Sequence, residues 1–443
     1  MSTTPKLVIP SPSLVVMVGA SGSGKSTFCA RCFLPTQVVS SDACRALLAD
    51  DPADQSVSAA AFGLAYGIIE ERLRRRRLTV FDATSVEPAA RRTLLQIAAR
   101  QHLPAVAIVL DLPVAACVRR NGARDGRRVG AAVIGRQVRA LRDAPAGIEA
   151  EGFAAVHRLR AAAAATARVG LEPLPCDRAA EAGPFDILGD LHGCAGETRR
   201  LLTRLGYRRD SARRPFGHLD GRRAVLLGDL VDRGPGIVET ARIAMRMVES
   251  GSALCVAGNH DLDLANLLQG GGGAPSPGTA RSLRQIEALG AADRRRFVDR
   301  FCRFVAALPD HLLLDGGRLV VAHAGLRRDL AGRQSGETRR FAVYGETTGE
   351  VDRYGLPVRI KWAAAYRGRA LVVYGHTPVR EPEWLNNTVN IDTGCVYGGR
   401  LSALRYPEKE IVSVPARRAY YRSEKAIPAG VGVRAETRAV PTV

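Results

Sequence analysis

The hydrophobic pattern of the first third of the chain predicts buried strands that alternate with helices. Short apolar runs stand at 14–18, 78–81 and 105–110, and longer mixed segments rich in Ala and Arg separate them. Uninterrupted apolar runs of this length are typical of parallel strands covered on both faces by helices. We therefore expect an α/β domain built on a parallel sheet at the N-terminal end of the chain.

A second series of apolar runs indicates a second α/β domain. Its strands are predicted at 185–188, 224–227, 253–256, 318–322, 371–374 and 389–391. Residues 143–169 between the two series have a helical pattern that ends in an Ala run, and the breakers of 170–175 follow. We predict an N-terminal domain at 1–170, a linker at 171–183, a second domain at 184–410 and a partly packed tail at 411–443. The Gly-rich stretch that begins at Gly270 is either a substrate lid or a surface insertion.

The first apolar run leads directly into a phosphate-binding loop. Residues 19–27 read Gly-Ala-Ser-Gly-Ser-Gly-Lys-Ser-Thr and satisfy the pattern G-x4-G-K-[ST] between a strand and a helix. Glycines let main-chain N–H groups approach phosphate oxygens, the Lys reaches the β and γ phosphates, and the Ser hydroxyl can bind Mg²⁺. We predict that ATP and Mg²⁺ bind here through Gly19, Gly22, Gly24, Lys25, Ser26 and Thr27.

Two further polar groups follow predicted strands of this domain. Asp42 and Arg45 come after the short apolar pair at 38–39. Asp42 is either the base that takes a proton from an attacking hydroxyl or the N-cap of the next helix, and Arg45 is suited to hold a phosphate of the acceptor. Asp82 likewise either orders water at the site or caps a helix.

An Arg-rich segment at 119–128 lies where small phosphate-loop kinases carry a lid. Arginines of such a lid close over the transferring phosphoryl group and stabilise its charge. Arg120 and Arg124 are the leading candidates. The alternative is a solvated helix face, because Arg is abundant throughout the chain.

The second half of the chain carries five polar blocks, each directly after a predicted strand. They are Gly189-Asp-Leu-His-Gly193, Gly228-Asp-Leu-Val-Asp-Arg-Gly234, Gly258-Asn-His-Asp261, His323-Ala-Gly325 and Gly375-His-Thr377. Carboxylate, amide and imidazole groups together suit Mn²⁺, Fe or similar ions, and two such ions need a shared carboxylate. These blocks predict a binuclear metal centre.

The same blocks resemble the signature of the calcineurin-like phosphoprotein-phosphatase superfamily, which implies a metallophosphoesterase α/β sandwich. The resemblance implies two divalent ions, with Mn²⁺ expected. It also implies a role for each residue. Asp190 and His192 would hold the first ion, Asp229 would bridge the two ions, and Asn259, His323 and His376 would hold the second. His260 would protonate the leaving oxygen, Asp232 would orient that imidazole, and Arg233 would bind the phosphate.

From about residue 14 to about residue 420, the chain resembles the bacterial polynucleotide kinase-phosphatase family of RNA repair. The resemblance rests on the Asp42/Arg45 pair, Asp82-Ala-Thr, Glu151-Gly-Phe, Tyr374-Gly-His-Thr-Pro-Val and Asn390-Ile-Asp-Thr-Gly-Cys. It implies a P-loop kinase that phosphorylates 5′-hydroxyl RNA or DNA ends from a nucleoside triphosphate. It also implies a phosphatase that removes 2′-phosphate, 3′-phosphate or 2′,3′-cyclic phosphate ends. Asp392 then either supports the phosphatase pocket or caps its own turn.

Members of that family usually continue into a ligase domain with a Lys-x-Asp-Gly motif, which this sequence lacks. We therefore expect the chain to heal ends without sealing them, and a separate ligase and an RNA-methylating protein are candidate partners. A homodimer is an open option. The alternative function is a protein Ser/Thr phosphatase or dinucleoside polyphosphate hydrolase with a regulatory ATP-binding domain. The Asp42/Arg45 pair argues against that alternative, because a nucleotide sensor needs no acceptor base.

Charge and cysteine usage add little to this picture. The formal net charge of +20 suits a polyanionic partner, but the 64 basic residues include only five Lys, which indicates a composition bias towards Arg. The nine scattered Cys favour neither a disulfide framework nor a zinc site, so we expect a reducing, cytoplasmic setting. No apolar run is long enough to span a bilayer, and we expect no membrane partner.

Overall fold

The computed structural model describes residues 5–123, 129–142, 147–208, 216–352 and 357–422. The chain divides into two compact units, one formed by residues 1–174 with 333–335 and the other by residues 175–332 with 336–443. Each unit is described separately below.

The first unit is built on a five-stranded parallel sheet with the order β3-β4-β2-β5-β6. A separate parallel pair joins β1 and β7. Strands β2 and β5 are buried along their whole length, as their apolar runs require. The strands are β1 (Lys6–Ser11), β2 (Leu14–Val18), β3 (Val38–Ser40), β4 (Thr79–Asp82), β5 (Ala105–Leu110), β6 (Ala155–Leu159) and β7 (Arg168–Pro173). The helices are α1 (Lys25–Cys32), α2 (Ser41–Ala49), α3 (Ser58–Arg74), α4 (Pro88–Arg100), α5 (Val114–Gly122), α6 (Ala131–Arg142) and α7 (Ala161–Thr166).

The predicted helix over 143–169 is wrong in its central part. Within the described residues 147–169, the Ala run forms the α-helix α7, Ile148–Ala150 form a short 3-10 turn, and Ala155–Leu159 form the edge strand β6. Residues of β6 pair in parallel register with β5 along five positions. Tertiary pairing of this kind outweighs the helix propensity of Ala, which is a weak preference.

Among the described residues, the second unit contains two large sheets and two short antiparallel strand pairs. One has the order β13-β12-β9-β21-β22 and the other the order β19-β20-β18-β15-β14-β8. The strands are β8 (Asp177–Arg178), β9 (Phe185–Leu188), β10 (Tyr207–Arg208), β11 (Gly217–His218), β12 (Arg223–Leu226), β13 (Ala253–Cys255), β14 (His311–Leu314), β15 (Leu319–Ala322), β16 (Thr347–Val351), β17 (Pro357–Arg359), β18 (Leu371–Tyr374), β19 (Glu383–Leu385), β20 (Thr388–Asn390), β21 (Arg400–Tyr406) and β22 (Glu410–Pro415). The helices are α8 (Ala195–Arg204), α9 (Ile237–Glu249), α10 (Asn259–Leu268), α11 (Pro277–Glu287), α12 (Ala291–Ala307), α13 (Gly336–Arg339) and α14 (Trp362–Ala365).

Apolar residues of both sheets share one buried cluster, so the sheets pack face to face. Ile187 and Val225 come from the first sheet, and Val321, Val373 and Val389 come from the second. A second cluster lies between the first sheet and helices α8 to α12. The architecture is the α/β sandwich expected from the sequence.

Two predicted boundaries fall inside strands. Residues 171–173 of the predicted linker belong to β7, and Asp177 and Arg178 pair with β14. Residues 411–415 of the predicted tail belong to β22, which pairs with β21 along six positions. Gly170 and Pro173, which suggested a break, lie within β7 and pair with Val8 and Ser11 of β1.

In each of the two large sheets of the second unit, three neighbouring strands run parallel, so their carboxyl ends lie at one edge of that sheet. Strands β9, β12 and β13 are parallel neighbours in one sheet, and β15, β18 and β20 are parallel neighbours in the other. Ligands bind at the carboxyl ends of such strands. Among the described residues, no helix is both long enough and apolar enough to cross a membrane.

Candidate active sites

The five polar blocks of the second unit follow the carboxyl ends of five of these six strands. Asp190 and His192 come after β9, Asp229 after β12, His323 after β15 and His376 after β18. Positive φ angles occur at five predicted site residues, namely His192 (37°), Asp229 (46°), Asp232 (69°), Arg233 (65°) and His376 (70°). Non-glycine residues adopt this conformation only where the surrounding structure imposes it, and such strain concentrates at functional sites.

The buried imidazole of His323 presents an unprotonated nitrogen to three neighbouring polar groups. Its Nδ1 lies 2.9 Å from the carbonyl oxygen of Leu227, which can only accept, so Nδ1 carries the proton. Burial lowers the pKa of His323, and the ring is neutral with a lone pair on Nε2. That atom lies 3.1 Å from Oδ1 of Asn259, 2.9 Å from Nδ1 of His376 and 3.4 Å from Oδ1 of Asp229.

His192 repeats the arrangement on the other side of Asp229. Its Nδ1 donates to the carbonyl oxygen of Val231 at 2.9 Å, and its Nε2 lies 3.4 Å from Oδ2 of Asp229. Burial first, and then the charge of Arg233, hold the pKa of His192 well below its ordinary value. A main-chain partner that fixes the ring in this way is typical of metal-binding histidines.

Asp229 is shared by two groups of possible ligands. One group consists of Asp229, His192 and His260, and the other consists of Asp229, His323 and His376. In each group, one possible ligand atom from every residue lies within 4.8 Å of the others. Burial raises the pKa of Asp229, but the surrounding imidazoles lower it by more, so the carboxylate is charged. A charged carboxylate between two sets of imidazoles suits the bridging position of a binuclear centre.

Two buried atoms of the site accept no hydrogen bond from the described part of the chain. They are Oδ1 of Asp190 and Nε2 of His376, whereas Oδ2 of Asp190 accepts the main-chain N–H of His376 at 3.0 Å. A Cβ at Gly375 would lie 2.2 Å from Oδ1 of Asp190, so the adjoining backbone needs glycine. Unpartnered acceptors and converging lone pairs fit divalent cations, which Asp190, His192, Asp229, Asn259, His323 and His376 would hold.

His260 lies beside this group with a carboxylate behind it. Its Nδ1 lies 2.7 Å from Oδ2 of Asp232, and its Nε2 accepts from Nη2 of Arg233 at 2.8 Å. Asp232 is fully buried. A carboxylate in this position orients an imidazole and stabilises its protonated form, as in other acid–base pairs.

Arg233 directs both ends of its guanidinium towards the site. Nη1 lies 2.7 Å from Nε2 of His192, and Nη2 contacts His260 as described above. The planar fork of donors suits two oxygens of a phosphate.

The phosphate loop of the first unit connects the buried strand β2 to helix α1. Gly22 has φ = 79°, and a Cβ there would lie 2.2 Å from the carbonyl oxygen of Cys117. Nζ of Lys25 donates to the carbonyl oxygens of Gly19 and Ala20 at 2.8 and 3.0 Å. Ser26 and Thr27 are exposed at the start of α1.

Asp42 and Arg45 form an ion pair on helix α2. The side chain of Arg45 is 5% exposed and that of Asp42 is 52% exposed, so the carboxylate is presented to solvent by a buried guanidinium. Nε of Arg45 donates to the carbonyl oxygen of Pro52 at 3.1 Å. The N-cap of α2 is Ser40, whose Oγ accepts from the main chain of the next turn, so the reading of Asp42 as the N-cap is wrong.

The predicted lid is described only in part. Nη1 of Arg120 lies 3.4 Å from the carbonyl oxygen of Ser23 in the phosphate loop, and Arg124 lies outside the described residues. On α6, Oε1 of Gln137 accepts the main-chain N–H of Ser21 at 2.8 Å. Asp82 is buried at the end of β4 and pairs in register with Ser40. Glu87, and not Asp82, precedes the next helix as its N-cap.

Two known family profiles match the chain, and each covers one of the two sites. The profile described as calcineurin-like phosphoesterase matches residues 183–404, which is half of the chain. The chain belongs to the calcineurin-like phosphoesterase family. A second profile, described as an AAA domain, matches residues 14–144, which include the phosphate loop.

Curated relatives cover about half of this calcineurin-like phosphoesterase. The bis(5′-nucleosyl)-tetraphosphatase PrpE [asymmetrical] of Geobacillus sp. (strain WCH70) is 44% identical over 236 residues, which are 53% of this chain and 96% of the relative. The protein of the same name from Bacillus subtilis (strain 168) is 41% identical over 239 residues, which are 54% of this chain and 97% of the relative. Members of the family use divalent metal ions.

Two hydroxyl groups of this phosphoesterase complete the environment of Asp232 and were not predicted. Thr279 Oγ1 donates to Oδ2 of Asp232 at 2.8 Å, and Ser282 Oγ donates to Oδ1. Both belong to α11, which follows the Gly-rich stretch at Gly270. The stretch was predicted as a lid or a surface insertion. The helix that follows it, α11, holds the Asp232 carboxylate that pairs with His260. A Ser or Thr on a surface-type helix gives no local signal of that role.

Arg359 is a further cation at this centre that the sequence reasoning missed. Its Nη1 donates to the carbonyl oxygen of Tyr344 at 2.7 Å. Burial is the main cause of the lowered pKa of His376, and the charge of Arg359 adds to it. The charge of Arg359 therefore disfavours the protonated form of the His376 imidazole.

Asp392 acts as a local cap at the edge of the same centre. Its Oδ1 accepts the main-chain N–H of Gly394 at 3.1 Å. Burial raises the pKa of Asp392 to about 6, and Asp392 in turn raises the pKa of Asp190. The geometry therefore agrees with the reading of Asp392 as the cap of its own turn.

Proposed function

We propose that this chain heals polynucleotide ends with two active sites. The phosphate-loop unit would phosphorylate 5′-hydroxyl ends from ATP, and the phosphoesterase unit would remove 2′-phosphate, 3′-phosphate or 2′,3′-cyclic phosphate ends. The single observation that carries the proposal is the Asp42–Arg45 pair. A domain that only senses a nucleotide has no need of it.

The surroundings of Asp42 support its role as a base. Helix α2 begins directly after β3. Because β3 and β2 run parallel in one sheet, α2 begins at the same edge of the sheet as the phosphate loop that follows β2. Ser40 caps the helix, so Asp42 is not the N-cap residue. The carboxylate is half-exposed and is oriented by Arg45. Such a group can accept a proton from a hydroxyl that attacks the γ-phosphate of ATP.

In the kinase reaction, Lys25 would contact the β and γ phosphates and Ser26 would bind Mg²⁺. Transfer of a phosphoryl group depends mainly on positioning and on neutralisation of charge. Arg120, which already contacts the phosphate loop, would stabilise the charge of the transferring group. Asp42 would remove the proton of the 5′-hydroxyl.

In the phosphatase reaction, the bound divalent ions would activate a water molecule and neutralise phosphate oxygens. Arg233 would hold two oxygens of the same phosphate. His260 would transfer a proton to the leaving ribose oxygen, and Asp232 would stabilise the imidazolium before the transfer. RNA or DNA ends are the substrates that link this reaction to the kinase reaction.

The test uses a 5′-hydroxyl oligonucleotide and ATP labelled on the γ-phosphate. We expect the full chain to label the oligonucleotide and the Asp42→Asn variant to lose this activity by about a hundredfold or more, because the base is removed. Asp50→Asn, at the other end of α2, is the matched control and should retain activity. Failure of the wild-type chain to label RNA or DNA would contradict the kinase half of the proposal.

A second candidate function is asymmetrical hydrolysis of bis(5′-nucleosyl) tetraphosphates. The relatives that carry this name are 41–44% identical over the matched residues, which favours it. The two candidates are separated by comparing kcat/KM for a 3′-phosphate oligonucleotide, a 2′,3′-cyclic phosphate oligonucleotide and bis(5′-adenosyl) tetraphosphate, each with Mn²⁺. We expect the oligonucleotides to be preferred. A clear preference for the tetraphosphate would favour the second candidate.

A further inference from the structure

We propose that residues 416–422, here called the C-terminal strap, position Arg233 in the phosphoesterase site through the ring of Tyr421. The strap follows β22 and lies beyond residue 404, where the match to the phosphoesterase family ends. The inference rests on the phosphate-binding role proposed above for Arg233. It does not depend on whether the phosphate belongs to a polynucleotide.

Main-chain hydrogen bonds hold the strap against the catalytic unit. The N–H groups of Tyr420 and Tyr421 donate to the carbonyl oxygen of Val396 at 2.9 and 3.0 Å. Val396 belongs to the turn that follows Asp392. The strap is therefore fixed to a segment that is itself part of the centre.

A buried carboxylate provides a second attachment. Oε1 of Glu197 accepts the main-chain N–H of Arg417 at 3.0 Å and the hydroxyl of Tyr420 at 2.8 Å. Glu197 is 1% exposed and lies in the first turn of α8, five residues after His192 in the sequence. A carboxylate that is this deeply buried needs such donors, and the strap provides two of them.

Arg281 connects the strap to the backbone of the phosphate-binding residue. Its Nη1 donates to the carbonyl oxygen of Arg233 at 2.7 Å and to that of Tyr420 at 3.1 Å. Arg281 lies on α11, the helix whose hydroxyl groups also hold Asp232. The main chain at Arg233 and the strap are thereby held at a fixed separation.

The guanidinium of Arg233 lies over two tyrosine rings. Its Cζ is 5.6 Å from the ring centroid of Tyr397 and 6.0 Å from that of Tyr421. The two rings meet edge to face, with centroids 6.2 Å apart and an interplanar angle of 69°. Contacts at these distances attract the cation and restrict a side chain that is otherwise flexible.

The rings hold the guanidinium while its nitrogens face the catalytic imidazoles. Nη1 and Nη2 point to His192 and His260, and the ring contacts involve the same planar group. Tyr421 itself is placed among neither the metal ligands nor the acid–base pair, so it is a positioning residue that acts through Arg233. An Arg that binds phosphate equally in the ground and transition states changes KM and leaves kcat nearly unchanged when it is loosened.

The test measures hydrolysis of p-nitrophenyl phosphate by the full chain with Mn²⁺, together with inhibition by inorganic phosphate. Tyr421→Leu should raise KM and the phosphate inhibition constant by about threefold to thirtyfold, the range expected for a cation–ring contact, with kcat within about twofold. Tyr421→Phe keeps the ring and should restore the wild-type KM. Arg418→Gln, an exposed position on the strap, is the control. An unchanged KM in Tyr421→Leu, or a Phe variant that matches the Leu variant, would overturn the proposal.

A double-mutant cycle separates positioning from a general structural effect. In an Arg233→Ala background, Tyr421→Leu should cause no further rise in KM, because the residue through which it acts is gone. Additive effects of the two changes would overturn the proposal. Arg281→Met provides an independent variant if Tyr421→Leu does not fold, and it should raise KM because it removes both hydrogen bonds to the carbonyl oxygens. The p-nitrophenyl phosphate readout leaves the polynucleotide proposal to be judged by its own oligonucleotide assays.

Discussion

The two candidate sites differ in how completely the fold fixes their side chains. In the phosphoesterase site, His192, Asp229 and His323 are buried, and each imidazole has one nitrogen bound to a main-chain carbonyl. In the phosphate-loop site, Ser26 and Asp42 are exposed. Neutral imidazoles and carboxylates that converge on one point need a rigid scaffold to hold them there. A loop of main-chain donors can adjust to a nucleotide when it binds.

The Asp229→Asn variant is the strongest test of this difference between the two sites. The amide cannot carry the charge that both ligand groups share, so metal-dependent phosphoesterase activity should fall by about a thousandfold or more. Phosphorylation of a 5′-hydroxyl oligonucleotide should be unchanged in the same preparation. A variant that keeps a tenth of its phosphoesterase activity would show that Asp229 does not bridge two ions.

The reciprocal change is Lys25→Ala in the phosphate loop. Loss of the ammonium should reduce phosphorylation by about a thousandfold, since it removes a cation from the transferring phosphates. The phosphoesterase reaction, followed with p-nitrophenyl phosphate and Mn²⁺, should keep its wild-type rate. Loss of both activities would mean that the two sites are not independent, contrary to our interpretation.

A smaller effect is expected when only the support of a catalytic group is removed. Ser282→Ala takes one donor from the buried carboxylate of Asp232 and should lower kcat of the phosphoesterase by about tenfold to a hundredfold, the range for a lost hydrogen bond to a charged group. Steady-state kinetics with Ser250→Ala as the control checks this, because Ser250 lies at the far end of α9. Equal rates in the two variants would argue that the fold does not pre-organise this site.

The smallest effect concerns a surface contact of the first unit. Arg158 donates to Glu149, and this hydrogen bond is the main cause of the lowering of the Glu149 pKa to about 2. A lowered carboxylate pKa stabilises the folded state above about pH 4.3, and the contribution is lost as the pH falls through about 2. Because Glu149 is half-exposed, Arg158→Gln should cost less than about 1 kcal/mol at neutral pH.

Nuclear magnetic resonance titration of the Glu149 carboxyl checks the last prediction. Its pKa should rise towards the ordinary value of a glutamate in Arg158→Gln, because the main cause of the lowering is removed. A larger loss of stability on thermal unfolding would show that the first unit depends on surface ion pairs more than its buried sheet suggests.

The residues at strand ends were accessible to sequence reasoning, and the residues that support them were not. Asp190, Asp229 and His323 follow apolar runs, so the pattern itself indicates that each lies at the carboxyl end of a strand. Thr279 and Ser282 lie about fifty residues from Asp232 in the sequence, and only the packing of α11 brings them to it. No local pattern encodes such a long-range contact.

Errors of the sequence reasoning arose where local preference and tertiary pairing disagree. Residues 155–159 were predicted as helix because Ala surrounds them, yet pairing with β5 makes them a strand. The cap of α2 was ambiguous because Ser40, Ser41 and Asp42 are all polar, and the geometry of one turn decides among them. Tyr421 had no signal, since its partner Arg233 lies in a different part of the sequence.

The metal-binding side chains come from both large sheets of the second unit, and this has a consequence for folding. Asp229 follows a strand of one sheet and His323 follows a strand of the other, so neither sheet alone can form the centre. Contacts between segments this far apart in the chain form late, after the entropy of closing long loops has been overcome. Divalent ions would thus bind tightly only to the completed sandwich and would add their binding free energy to its stability. Chelation should lower the unfolding temperature of the second unit while leaving that of the first unchanged, which makes the thermal transition itself a measure of ion occupancy.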